Sequence, residues 1–311
     1  MGFDEMDVEQ IWMDGEFVDW EDAQIHVLTH GLHYGTGVFE GVRCYDTARG
    51  PAIFRWDEHL ERFYESGKPY ELEIPFEPAE LTDATTELIR REQLASCYIR
   101  PIAFYGYDML GLNPGDCPVE VAIAVWPWGA YLGEEALEKG VDVAVSSWRK
   151  YGSDQIPTNA KTTGAYVNSV LASLEATGNG YVEAIVLNGE GNVAEGPGEN
   201  LFLVRDDEIY TTGLAESILD GITRQSVIQI ARDLGYTVHD KETISRGELY
   251  TADELFFSGT AAEVTPIRTV DDKQIGSGSK GPVTDDVQST FFEIVEEQPA
   301  EYEHWFRPIE F

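Results

Sequence analysis

The chain has 311 residues, 42% hydrophobic and 12% aromatic, enough for two packed domains and incompatible with global disorder. Its 57 acidic against 21 basic residues leave a formal charge of −36, which excludes phosphate backbones and anionic lipid surfaces as partners. Only 7 of the basic residues are lysines, and molar salt shrinks the screening length to about 3 Å, so this composition reads as that of a protein in a cytosol with very high salt, the alternative being an acidic protein in an ordinary cytosol.

Ile11 to Val18 carries Asp14-Gly15 at its centre and predicts a hairpin. Strands are expected at Thr36–Tyr45 and Pro51–Arg55, then a helix capped by Asp57 with Leu60, Phe63 and Tyr64 on one face. A helix near Glu80–Arg91 leads to strands at Ser96–Tyr105 and Val119–Trp126. The run from Pro127 to Gly133 breaks the last strand with Pro and Gly while holding Trp128 and Tyr131, the pattern of a linker that packs rather than flops.

The second half opens on a strand, Val141–Ser146. A helix from about Ala165 has Val167, Val170, Leu171 and Leu174 at helical spacing and stops at Gly178. Strands follow at Tyr181–Leu187, Asn200–Val204 and Glu208–Thr211. A helix is then expected over Thr223–Leu234 with Val227, Ile230, Ala231 and Leu234 inward. Strands at Thr237–Asp240, Glu254–Phe257 and Glu263–Ile267 complete an α+β pattern of two α/β domains. Their expected limits are 1–126 for a small N-terminal domain, 127–137 for an interdomain loop, and 138–311 for a larger domain.

The acidic N-terminus lacks the basic and apolar regions of a signal peptide, and no apolar run is long enough to span a bilayer, so a cytoplasmic protein is expected. Cys44, Cys97 and Cys117 form no Cys-x-x-Cys pair and read as small buried hydrophobes. His30 and His33 have no third ligand at useful spacing, so no metal site is expected. Gly276 to Gly281 has the wrong order for a phosphate loop and reads as a surface loop.

Lysine scarcity is the informative feature, because a chain that avoids lysine keeps one where chemistry or structure needs it. Lys68, Lys139, Lys241, Lys273 and Lys280 lie in charged or Gly-rich stretches, and Lys150 in the hydrophilic run Trp148 to Asp154. Lys161 differs: Ile156 to Tyr166 is nearly uncharged and leads into a helix. An amine there suits a nucleophile or Schiff base with a lowered pKa, or else is a helix-flanking surface lysine. Gly221-Ile222-Thr223 opens a helix whose first amides can cradle a phosphate, or is an ordinary Thr cap. Ser258 to Ala262 is a small-residue turn that can present amides to an anion, or a plain hairpin turn.

Taken in order, HGLHYGTGVFEGVRCY from His30, HLERF from His59, YIRP from Tyr98, PWGAYLG from Pro127, IPTNAK from Ile156, AEGPGENLF from Ala194, LDGITR from Leu219 and SGTAAEVTPI from Ser258 resemble the branched-chain-amino-acid aminotransferases. These are class IV, fold-type IV enzymes using pyridoxal 5′-phosphate. The resemblance covers Ile11 to Phe292 and implies roles position by position. Lys161 would carry the cofactor as a Schiff base and shuttle the substrate's α-proton. Glu195 would pair with the pyridine nitrogen, and Tyr166 would hydrogen-bond the phenolic oxygen. Arg62, Ile222, Thr223 and Thr260 would hold the phosphate. Tyr98 and the Thr260-Ala261 turn would take the α-carboxylate. Phe39, Trp128, Tyr131 and Tyr166 would wall an apolar pocket, joined by Tyr34 and Leu112 of a second subunit. Arg100, with Tyr34 and Tyr131, would take the distal carboxylate of glutamate.

The implied reaction moves the amino group of leucine, isoleucine or valine to 2-oxoglutarate. D-amino-acid aminotransferase and aminodeoxychorismate lyase share the fold and are the alternatives, and a non-catalytic acidic binding protein is a third. The resemblance implies at least a homodimer, with tetramers or hexamers open. Thr162-Thr163 and Pro197 depart from the family pattern, and the Cys-x-x-Cys redox switch of some animal relatives is absent.

Overall fold

The computed structural model describes residues 8–129 and 132–311. The chain divides into two compact units. The first runs to Trp128 and takes in Ala160–Gly164 and Ile294–Phe311, and the second comprises Gly129–Asn159 and Ala165–Glu293. Lys161 thus travels with the first unit, although the chain order groups it with the later half.

In the first unit, strands β1 (Gln10–Met13), β2 (Glu16–Asp19), β3 (Gly37–Phe39), β4 (Val42–Thr47), β5 (Gly50–Phe54), β6 (Cys97–Tyr105) and β7 (Val119–Trp126) join a terminal strand, Phe306–Pro308. The order is terminal strand–β5–β4–β6–β7–β1–β2, with β3 also on β6, and every pairing is antiparallel. The Asp14-Gly15 hairpin forms as expected, with both residues at positive φ (49° and 97°).

The strand expected over Thr36–Tyr45 lapses at Glu40-Gly41, yet Phe39 faces Ile102 and Val42 faces Ile99 in one unbroken register. Helices α1 (His30–Tyr34), α2 (Trp56–Gly67) and α3 (Pro78–Arg91) complete the unit. Phe63, Leu81, Leu88, Ile89, Ile99 and Ile123 form its fully buried core. Asp57 does not cap α2. The helix begins at Trp56, two residues earlier than an Asp57 cap would place it, with Arg55 at the cap in the left-handed region (φ 51°). The Arg55 amide donates to Trp305 O at 2.6 Å and its guanidinium to Glu58, so contacts far along the chain override the local cap preference.

The second unit holds β8 (Val141–Arg149), β9 (Glu183–Leu187), β10 (Val193–Glu195), β11 (Asn200–Arg205), β12 (Glu208–Thr212), β13 (Val238–Glu242), β14 (Glu254–Gly259), β15 (Glu263–Val270) and β16 (Lys273–Gln274). Their order is β10–β9–β8–β15–β14–β11–β12–β13, with β16 on β15. β8 runs parallel to β9 and β15, as β12 does to β13. Helices are α4 (Glu134–Lys139), α5 (Tyr166–Gly178), α6 (Ile222–Asp233), α7 (Arg246–Leu249) and α8 (Pro282–Glu297).

α6 buries Val227, Ile230 and Ala231 as expected, but Leu234 falls past its end and is exposed. α5 turns the opposite way from what its residue sizes suggest. Ser169, Ala172 and Ala176 face inward, while Val167, Val170 and Leu174 are exposed. Small residues let the helix lie close on β8 and β9. No helix among the described residues is long and apolar enough to cross a membrane.

Candidate active site

In the first unit, Ala160–Gly164 lies alongside β3. Phe39 N–H donates to Lys161 O at 3.1 Å, Thr163 N–H to Gly37 O at 2.9 Å, and Lys161 N–H to Ser66 Oγ on α2 at 2.9 Å. Gly35 permits the crossing: a Cβ there would stand 2.6 Å from Gly164 Cα, and φ is +65°. The backbone of Lys161 is therefore held at two points, and that of Thr163 at a third, while the Lys161 side chain reaches over the Phe39 ring, Nζ 5.0 Å from the centroid.

Strand alternation puts Tyr98 and Arg100 on one face of β6. Arg100 Nη2 donates to Tyr98 Oη at 3.2 Å, and its guanidinium sits 4.8 Å from the Phe39 ring. The rings of Tyr98 and Trp128 are 4.5 Å apart, and Trp126 stacks on Trp128. A Cβ on Gly41 would fall 1.9 Å from Tyr98 Oη, so only glycine lets that hydroxyl reach its place. Arg100 Nε is buried with no hydrogen-bond partner among the described residues. A donor left so costs about 1–3 kcal/mol and calls for an anion.

Glu40, in the lapse between β3 and β4, organises the cations. It is 1% exposed and accepts Arg62 Nε at 2.7 Å, Arg62 Nη2 at 2.9 Å and His59 Nδ1 at 2.7 Å. Burial alone would raise its pKa, but Arg62 and His59 reverse this and hold the carboxyl well below the usual range. Burial is also the largest influence on His59, and lowers it although Glu40 opposes. Lys161 is drawn down to about 8, first by burial and then by Arg62 and Arg100, with Glu40 and Tyr98 opposing. An amine with that value exists in both protonation states near neutral pH, as a proton shuttle needs.

In the second unit, β10 ends on Glu195, which is 5% exposed. Its Oε1 accepts Lys150 Nζ at 2.6 Å, while Oε2 accepts Asn200 Nδ2 at 3.1 Å and Leu219 N–H at 3.0 Å. Asn200 Nδ2 also donates to Leu219 O at 2.9 Å. A Cβ on Gly221 would come within 2.1 Å of Asn200 Oδ1, so this N-cap glycine is what lets α6 start directly over the Glu195–Asn200 pair. Ile222 opens the helix and Thr223 is buried in its first turn. Tyr166 is the first residue of α5, and Thr260-Ala261 lie in the turn between β14 and β15. Ser258 Oγ, fully buried at the end of β14, has no hydrogen-bond partner among the described residues.

Lys161, Arg62, Phe39, Tyr98, Arg100 and Trp128 thus belong to the first unit, and Glu195, Tyr166, Ile222, Thr223, Thr260 and Ala261 to the second. Tyr34 and Leu112 lie on the surface of the first unit, 42% and 87% exposed. Tyr131 lies outside the described residues.

Lys150, Glu40, His59 and Asn200 were missed from the sequence. Lys150 is 9% exposed and paired, not solvated in a hydrophilic run. The scarcity argument that singled out Lys161 applied to it equally, but its partner is 45 residues away. Taken unit by unit, the low-pKa amine and arginine of the first, and the buried carboxylate and glycine-opened helix of the second, are each donor types that suit a phosphorylated pyridine aldehyde.

A family model described as "Amino-transferase class IV" matches residues 37–270. A branched-chain-amino-acid aminotransferase of Pseudomonas aeruginosa is 48% identical over 295 residues, 95% of this chain and 95% of that protein. The crystal structure of the Escherichia coli branched-chain amino acid aminotransferase has a TM-score of 0.95 at 46% identity, covering 97% of this chain and 100% of that one. The T.th. branched-chain amino acid aminotransferase with pyridoxamine 5′-phosphate gives 0.94 at 50% identity, covering 98% and 100%.

Proposed function

This chain belongs to the class IV aminotransferases, and from that membership we propose that Lys161 is the residue that binds pyridoxal phosphate covalently. The protein is a branched-chain-amino-acid transaminase, moving the amino group of leucine, isoleucine or valine reversibly to 2-oxoglutarate. The observation that carries the lysine assignment is the buried amine drawn down to about 8 beside Phe39, Tyr98 and Arg100. Borohydride reduction of the loaded protein followed by peptide mass spectrometry should label Lys161, and a label on any other lysine overturns the assignment.

When bound, pyridoxal phosphate supplies an electron-poor ring that acidifies the substrate's α-carbon. In our reading the Lys161 amine takes that proton and returns it. The Glu195 carboxylate keeps a proton on the ring nitrogen, and Tyr166 donates to the phenolic oxygen. Arg62, the first amides of α6 at Ile222 and Thr223, and Thr260 anchor the phosphate. Tyr98 and Thr260-Ala261 receive the α-carboxylate.

Phe39 and Trp128 wall the side-chain pocket, and Arg100 takes glutamate's distal carboxylate. The unpartnered Nε of Arg100 supports this last role. Arg100→Leu should lower kcat/KM for glutamate roughly 10–100-fold, the size of a lost charge-assisted contact. Leucine turnover should change only a few-fold. Equal losses for both substrates would remove the role.

We also propose a homodimer. Tyr34 and Leu112 share one surface with Val27, Leu32, Tyr107 and Met109, all at least 42% exposed. The two segments are held together there: Tyr34 Oη donates to Leu110 O, and the His26 and Tyr107 rings lie 4.2 Å apart. An apolar surface of this kind on a chain of charge −36 is explained by a second copy covering it. Leu112→Glu should halve the mass seen by sedimentation and lower activity, and an unchanged mass would exclude this face. The charge further supports a halophile's cytoplasm as the setting. The melting temperature should rise between 0.1 and about 2 M potassium chloride, and a flat or falling profile would reject it.

A further inference from the structure

Lys150, 9% exposed, is a buried lysine in a chain that has seven, and the reaction as derived above does not use it. It directly follows β8, its N–H donating to Leu187 O at 2.8 Å, so its backbone is tied to the end of β9. Its ammonium reaches Glu195 Oε1 at 2.6 Å and stands 4.9 Å from the Tyr151 ring centroid. Burial opposes its charge, but Glu195 and the neighbouring phenols outweigh burial and the amine is held firmly protonated.

The other carboxylate oxygen is occupied by Asn200 and Leu219, both neutral donors. Lys150 is therefore the one full positive charge among the described residues bonded to Glu195.

We propose that Lys150 is a positioning residue for the cofactor's ring nitrogen. It orients Glu195 and supplies the counter-charge 2.6 Å from its Oε1, so that a carboxylate paired with a protonated ring is the arrangement the site holds. The inference rests on the assignment of Glu195 to the ring nitrogen. A carboxylate and a pyridine in a dry site compete for one proton, and low dielectric favours the neutral pair, acid plus unprotonated ring. A cation 2.6 Å from the carboxylate reverses that preference by stabilising the ionised acid. Without it the ring loses its pull on the α-carbon while the phosphate and carboxylate contacts persist.

The experiment uses the whole enzyme loaded with pyridoxal phosphate carrying nitrogen-15 in the ring, read by its nitrogen chemical shift. Four proteins are compared with the natural one: Lys150→Met, Lys150→Gln, Lys150→Arg and Glu195→Gln. Lys150→Met should move the resonance to the unprotonated position and lower kcat roughly 10–100-fold, as outer-sphere partners of reactive groups do, with KM little changed. Lys150→Gln keeps a donor but no charge, serves if the methionine variant does not fold, and should shift alike. Lys150→Arg should restore both signals.

A resonance that stays in the protonated position in the charge-free variants while Glu195→Gln shifts it overturns the role of Lys150 alone. If Glu195→Gln also leaves the resonance in place, the assignment of Glu195 falls, and the inference with it.

Discussion

Replacing Lys161 with alanine should lower transamination of leucine by at least about 10³-fold, since both covalent attachment and proton transfer are lost. Adding a small primary amine should restore part of the variant's rate. A Lys161→Ala protein turning over near the natural rate would reject the mechanism.

The same lowered value has a stability consequence of opposite sign. Between about 8 and 10.5 the unfolded chain binds a proton that the cofactor-free fold does not. The penalty is fully present below 8 and disappears as pH rises through 10.5. Lys161→Met should therefore stabilise the cofactor-free protein at pH 7 by up to about 3 kcal/mol. The gain should vanish above pH 10.5. Site and stability are in tension here, as expected where burial tunes a reactive amine.

Glu40→Gln should destabilise the protein by about 3–5 kcal/mol at pH 7, because Arg62 loses its buried counter-charge. The bidentate contact and the His59 bond both end on this one carboxylate. Since Glu40's pKa is depressed, its stabilisation is present above the ordinary value of 4.5 and is lost only as pH falls through the lower folded value. His59 is depressed too, so the folded protein refuses a proton that the unfolded chain accepts below 6.5. Stability should thus decline into acid in the natural protein, with the gap to Glu40→Gln narrowing in strong acid. Urea midpoints at about pH 7 and about pH 3 measure this, and a variant as stable as the natural chain at neutral pH would remove Glu40 as the organiser. Lys161 should also fall further below 8, because Glu40 is its largest raising influence.

Local chemistry was enough wherever one short segment decides the outcome. Asp14-Gly15 forces a hairpin because both residues tolerate positive φ. Gly221 opens a helix and Gly178 ends one because each change of backbone is made by the residue standing there. Lys161 was legible for the same reason: an uncharged run around a rare amine is a property of consecutive residues.

α8 was overlooked, though Val283, Val287, Phe291 and Ile294 show its period. Its start is capped by Glu254, 30 residues upstream, which accepts Thr284 N–H at 2.7 Å, and no neighbouring residue announces it.

By itself, then, the order of residues determined most strands and the family's run of motifs, and singled out Lys161 as the candidate amine. Only the tertiary structure decided which charges are dry and paired: Lys150 with Glu195, and Arg62 and His59 with Glu40. It alone turned the small face of α5 inward and started α2 from Arg55. The reason is that hydrogen-bonding and conformational preferences act over a few residues and can be read in line. Desolvation and ion pairing depend on what arrives from about 20 to 45 positions away.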